Sequence, residues 1–177
     1  MSASADPETM LGTLSMLIAD SVAARFRELG MSQTEAATLL CIHEHPGVNI
    51  GHVARTADIS HSAAVRSVDR LVDRKLVDRW ISPSDQRAVE LTCSPMGKAL
   101  SQKLFNARRE TTRLLMDRLN PKQRTALTEF VDLMLEGVAE RRSAAWRLCR
   151  FCDRSICPIP ACPIGRCVQV EDTGAIR

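Results

Sequence analysis

The stretch CRFCDRSICPIPACPIGRC carries Cys149, Cys152, Cys157, Cys162 and Cys167, five of the seven cysteines in a chain of 177 residues. Thiolates at this density bind metals or exchange electrons. Cys149 and Cys152, three positions apart, share a face at the end of a helix and can chelate one centre from it. Pro158, Pro160 and Pro163 forbid helix beyond that point. Each further gap of five positions reaches at most roughly 16 Å, so one segment can wrap a single inorganic core. Three chemistries fit. Iron–sulfur clusters accept dense cysteine runs with short mixed spacings and a Cys-Pro step, supplied here by Cys157-Pro158 and Cys162-Pro163; a cluster is the favoured cofactor. A structural zinc site, the alternative, ordinarily separates two Cys-x-x-Cys pairs by a longer loop, and only one such pair stands here. A metal-free thiol switch is the third, with haem-responsive Cys-Pro segments a minor fourth. Five thiols for four places leave one spare, a resolving thiol or an exchangeable ligand.

Elsewhere the chemistry-bearing residues have plainer readings. Cys41, beside Leu39 and Leu40, and Cys93, at a strand end, read as small core residues. His43 and His45 lie two apart, a spacing that points them away from each other on a helix, and His52 and His61 have no ligand partners at a defensible spacing. No nucleophile–base pair and no glycine-rich phosphate loop is visible, so no catalytic residue is assigned and the chain does not read as an enzyme.

The bulk properties bound what can hold these residues. With 45% hydrophobic and 25% charged residues and a net charge of +3, the chain reads as one globular domain with a real core. A charge that small names no partner, so any nucleic-acid argument must rest on where the charges sit. The first nine residues carry no basic and apolar leader, and no apolar run approaches the roughly 18 residues of a membrane span. The expected location is the cytoplasm, where thiols stay reduced and cysteine clusters serve metals or redox chemistry.

The elements follow from periodicity and end signals. Residues 8 to 29 place Leu11, Leu14, Ile18, Val22, Phe26 and Leu29 at helical spacing, with Gly30 as the stop. Ser32-Gln-Thr-Glu35 is a capping box that opens a second helix ending before Pro46-Gly47. A short helix from about 50 to 56, a turn at 57 to 59, and a helix capped by Ser60 and carrying Val65, Val68 and Val72 come next. Residues 76 to 81 and 88 to 92 alternate as strands around a polar turn, a small hairpin. Ser94-Pro95 starts a long helix, and Asn120-Pro121 starts a last one whose stripe runs through Leu127, Phe130, Met134 and Val138 to about Arg147.

Helix, helix, turn, helix, hairpin is the plan of a winged helix-turn-helix, whose second motif helix enters the major groove. With the valines inward, the opposite face presents Ser60, His61, Ser62, Ala63, Arg66, Ser67 and Arg70, small, hydrogen-bonding or cationic groups suited to bases and phosphates. Arg87 at the hairpin turn, oriented by Asp85, would reach the adjoining minor groove. The fold class is therefore mainly α with a small β-hairpin wing. Residues 31 to 94 form the DNA-binding unit, 8 to 30 and 95 to 147 a dimerisation region of long helices, 148 to 168 the cysteine-rich tail, and 169 to 177 a flexible C-terminus.

The segments Val53-Ala-Arg-Thr-Ala-Asp-Ile-Ser60, Val65-Arg-Ser-Val-Asp-Arg-Leu-Val-Asp-Arg-Lys-Leu-Val-Asp-Arg79, Ser84-Asp-Gln-Arg-Ala88 and Leu91-Thr-Cys-Ser-Pro-Met-Gly97 resemble the MarR family of bacterial transcriptional regulators. The resemblance covers about residues 8 to 147 in order of elements. It implies a homodimer with intertwined end helices on a pseudo-palindromic operator in double-stranded DNA, usually acting as a repressor, with residues 60 to 70 on the recognition helix and Asp85 and Arg87 in the wing. Two departures stand out: the family often has Gly where Lys75 stands, and its wing is frequently longer and more basic. Many members bind aromatic acids; with no Tyr, four Phe and two Trp, this chain lends that no support. The resemblance stops near Trp146 and leaves the cysteines unexplained. The expectation is a repressor whose operator binding responds, through a tail iron–sulfur cluster, to redox state, nitric oxide or iron. A structural zinc site, a thiol switch, or an electron-transfer protein are the alternatives.

Overall fold

A computed structural model describes residues 6 to 81, 89 to 139, 142 to 157 and 161 to 166. In chain order they form α1 (Pro7–Glu28), α2 (Gln33–Glu44), α3 (Ile50–Ala57), α4 (His61–Asp73), β1 (Val77–Ile81), β2 (Val89–Cys93), α5 (Pro95–Met116), α6 (Pro121–Leu135) and α7 (Arg142–Leu148). The helix starts are chemical. Ser32 and Glu35 close a reciprocal capping box at α2, as do Asn120 and Gln123 at α6, and Asn49, Ser60 and Ser94 each accept a free amide at the heads of α3, α4 and α5. The strands pair antiparallel from Val77 opposite Cys93 to Ile81 opposite Val89.

One apolar cluster holds the first half together. Phe26 from α1, Leu39, Leu40 and Ile42 from α2, Val53 from α3, Val68 and Leu71 from α4, Leu91 from β2, and Leu104 and Phe105 from α5 are all at most 2% exposed. α2 runs through its middle, buried from Ala36 to Ile42.

The end helices behave differently. α6 buries no side chain, leaving Phe130 and Leu133 61% and 66% exposed, and on α1 Met10, Leu11 and Leu17 are at least half exposed. The expected single helix from 121 to about 147 is not formed. α6 stops at Leu135, Glu136 turns extended, and Gly137 sits at φ +73°, the left-handed backbone that ends helices. The apolar spacing runs on through Val138, so periodicity alone carries the helix past its true end. After the break the chain returns as α7, which packs against α3.

Candidate nucleic-acid interface and thiol cluster

α4 is exposed along one side. The Ser60 hydroxyl accepts from the Ala63 amide at 3.2 Å and lies 3.2 Å from the Ser62 hydroxyl. His61, Ser62 and Arg66 face solvent and Ala63 is half-buried. Arg70 is also exposed, but its Nε donates to Glu35 at 2.9 Å, tying α4 to the head of α2. Burial works against the charge on Glu35, but hydrogen bonds from the Ser32 amide and hydroxyl and from Arg70 outweigh it and hold the carboxyl below its usual range. Arg79 on β1 pairs with Asp69 on α4 and so fixes the hairpin against the helix.

One expected contact residue is displaced. Ser67 is wholly buried, and its hydroxyl donates to Thr38 at 2.9 Å. The inward stripe is Ala64, Ser67, Val68 and Leu71, with Val65 and Val72 only half-buried. α4 is thus rotated by about one position from the valine-in setting, because the small side chains of Ala64 and Ser67 let it approach α2 closely. Ser67 cannot reach a base. Asp85 and Arg87 lie outside the described residues, as does Cys167.

The other four tail cysteines come together. α7 ends at Leu148, so Cys149 leaves it directly and Cys152 follows one turn on, its amide donating to the Cys149 carbonyl at 2.8 Å. Cys149, Cys152 and Cys157 line one cavity, Cys162 packs on the same small apolar cluster as Cys149, and Cys149 lies within electrostatic reach of the other three. A hydrogen bond from Cys149, together with Arg108 on α5, outweighs burial and brings Cys152 down to about 6, while its partner Cys149 is pushed up. The cavity measures about 60 Å³ and is lined also by Leu40, Thr56 and Trp146. Among the described residues, no three His, Cys, Asp or Glu side chains converge closely enough to share one metal ion.

This lobe rests on the winged unit. Trp146 lies over His52 of α3 at 4.5 Å and Arg147 pairs with Asp58 at 3.4 Å. Phe151 meets Phe26 edge-on at 5.3 Å, and its carbonyl accepts from Arg108 at 3.3 Å. Arg154 Nη1 is 3.2 Å from a ring nitrogen of His45 at the end of α2. Sequence spacing missed Arg108, Trp146 and His52, because their partners are distant in the chain and no local pattern joins them. Cys41 and Cys93 are buried as expected, and burial pushes their thiols up to about 11 and about 12.

A capped helix with one exposed face, packed beside a two-stranded hairpin, is the arrangement of a winged helix-turn-helix. Residues 29–88 match the MarR family. Similar solved structures include the YusO protein from Bacillus subtilis, at 16% identity over 72% of this chain and 90% of that one with a TM-score of 0.65. A mutant MepR of S. aureus bound to an oligodeoxyribonucleotide is 16% identical over 75% of this chain and 97% of its own, at a TM-score of 0.60. A Mycobacterium tuberculosis MarR family protein in complex with p-aminosalicylic acid is 22% identical over 73% and 98%, at 0.57. Among curated proteins no sequence match is found. The segment 29–88 is thus similar to a family whose members are transcription regulators, not enzymes. No helix among the described residues is long and apolar enough to cross a membrane.

Proposed function

We propose that the protein is a cytoplasmic, homodimeric repressor that places α4 of each protomer in successive major grooves of a pseudo-palindromic operator, and that an iron–sulfur cluster in its cysteine segment sets operator affinity. The observation that carries the DNA-reading part is the free face of α4, where His61, Ser62, Arg66 and Arg70 stand exposed beside the hairpin. Pairing of copies is supported by the uncovered apolar faces of α1 and α6, since soluble monomers rarely leave such faces open. The grouping of Cys149, Cys152 and Cys157 on one cavity, with Cys162 packed on the same small apolar cluster as Cys149, supports the cluster. Gain or loss of that core with oxidant, nitric oxide or iron supply would be the signal.

Binding to duplex DNA across a salt series tests the first part. Arg66→Ala should weaken binding and lower the slope of log affinity against log salt by about 1 if the guanidinium meets a phosphate; an unchanged slope and affinity reject the placement of α4. Metal analysis and a visible spectrum of anaerobically purified protein test the second. Iron, sulfide and a broad visible absorption are expected; a colourless protein with one zinc per chain rejects the cluster.

A further inference from the structure

We infer that Cys149, Cys152, Cys157 and Cys162 hold the centre as a removable brace on the helix-turn-helix of their own protomer. Loading the centre fixes the turn between α3 and α4, and emptying it releases that turn. The inference rests on the reading above that the tail thiols bind a metal–sulfur core; it adds which four bind it and which contacts carry the signal to the DNA face.

A tail that simply prolonged the last dimer helix would act on the spacing between two protomers. Instead the break at Gly137 brings α7 back onto α3, behind the reading helix. Within one turn of α7, Trp146 covers His52 on α3 and Arg147 reaches Asp58. Asp58 ends α3 at φ +57°, and two residues later Ser60 caps α4. It is therefore the hinge residue of the motif, and the neighbouring Ile59 amide still bonds back to Ala54 of α3 at 3.1 Å. Cys149, the first ligand, is only two residues beyond Arg147.

The rest of the lobe closes the frame. Arg108 of α5 faces Cys152 and holds the Phe151 carbonyl, and Arg154 meets His45 at the end of α2. Among the described residues the lobe's own buried apolar side chains are Ala139, Ala145 and Ile164, a small core to which bonds at the thiols would add order. The Arg147–Asp58 pair is exposed on both sides, 49% and 61%, so it contributes direction more than strength; the Trp146 contact supplies the packing. A state that keeps these contacts and a state that loses them differ in how firmly α4 is aimed, the differential that regulation of binding requires.

The test uses the full chain, anaerobically loaded or stripped by chelator, and a duplex enriched from a random-sequence pool by whichever wild-type form binds. Loaded and empty wild-type protein should differ at least tenfold in affinity for it. Arg147→Gln and Trp146→Leu should keep the iron and sulfide content and the visible spectrum of the wild type, while that ratio shrinks to within about twofold. Amides 57 to 60 should exchange more slowly on loading in the wild type but not in the variants. Should Trp146→Leu fail to load, Arg147→Gln carries the comparison alone. Equal affinities of loaded and empty wild-type protein, or an undiminished ratio in a loaded variant, overturn the brace. Cys162→Ser should lose the centre and Cys167→Ser should keep it; the reverse overturns the ligand set. A wild-type protein that takes up no iron defeats the underlying cluster reading, and metal analysis separates that result from a failed brace.

Discussion

The reading head and the thiol lobe are held together by different means. In the head, large side chains such as Phe26, Leu39, Ile42, Val68, Leu71 and Leu104 vanish into one apolar cluster, each contributing about 1.5–3 kcal/mol by its burial. In the lobe, among the described residues, the buried apolar side chains are those of Ala139, Ala145 and Ile164, while every residue held in place costs about 1–2 kcal/mol of backbone entropy. The head therefore owes its shape to its hydrophobic pattern, whereas the lobe depends on its contacts with the head. A change within the head should act on the stability of the whole, and a change within the lobe should act mainly on the lobe.

The largest effect expected on the head side is at Gly97. A Cβ there would stand 2.0 Å from the Leu76 carbonyl oxygen, a backbone atom that no side-chain motion can clear. Gly97→Ala must push the start of α5 off the root of the hairpin, and by the upper range of overpacking it should cost about 3 kcal/mol or more in urea unfolding. Gly137, in the link to the lobe, is the counterpart: its added Cβ meets nothing, and only its φ of +73° resists, so Gly137→Ala should cost about 1 kcal/mol. Similar losses at the two positions would erase the contrast between a packed head and a loosely packed link.

Next in size is the buried pair under α4. Ser67→Ala leaves the Thr38 hydroxyl without the partner it has at 2.9 Å, a loss of about 1–3 kcal/mol. Because Ser67 faces α2 rather than DNA, affinity for duplex DNA measured well below the melting temperature should not change. A drop in affinity with stability intact would return Ser67 to the DNA face. On the lobe side, the paired replacements Cys149→Ser and Cys152→Ser should leave the unfolding midpoint of the head within about 1 kcal/mol of wild type, while tryptic cleavage after Arg150 and Arg154 rises about tenfold as local opening becomes easier. If the head melted with the lobe, the two would be one cooperative unit.

The same contrast explains what the sequence could disclose. Helix starts at Ser32, Ser60, Ser94 and Asn120 were legible because each depends on a few adjacent residues, and the two strands fall within a residue of their alternating patterns. The inward face of α4 was read one position off, since three valines mark a stripe loudly and the true one includes Ala64 and Ser67. The end of α6 was missed because Gly137 interrupts a spacing that its neighbours continue. The thiols were legible as a group, and Cys149, Cys152 and Cys157 line one cavity. Where they dock was not, for Arg147 and Asp58 are 89 positions apart and nothing local announces their pairing.

The smallest expected effect is a gain in the head, at the end of α4. There the Leu76 amide donates to Leu71 at 2.9 Å and the Lys75 amide to Val72 at 2.8 Å, the two bonds of a Schellman ending, with Leu76 packed in the same buried cluster as Leu71. That geometry puts Lys75 at φ +58°, a left-handed backbone that an L side chain resists and glycine accepts. It gives a physical reason for the glycine that the MarR family often has at this position. Lys75→Gly should relieve the strain, and after the greater freedom of glycine in the unfolded chain is subtracted, about 0.5–1 kcal/mol should remain as added stability. Urea unfolding would show the gain as a higher midpoint at unchanged slope. Tryptic cleavage after Arg150 and Arg154 should stay as in the wild type, since a firmer end to α4 adds no contact to the lobe. A lobe that became more resistant along with the head would mean that the two regions share stability through more than Trp146, Arg147 and Phe151.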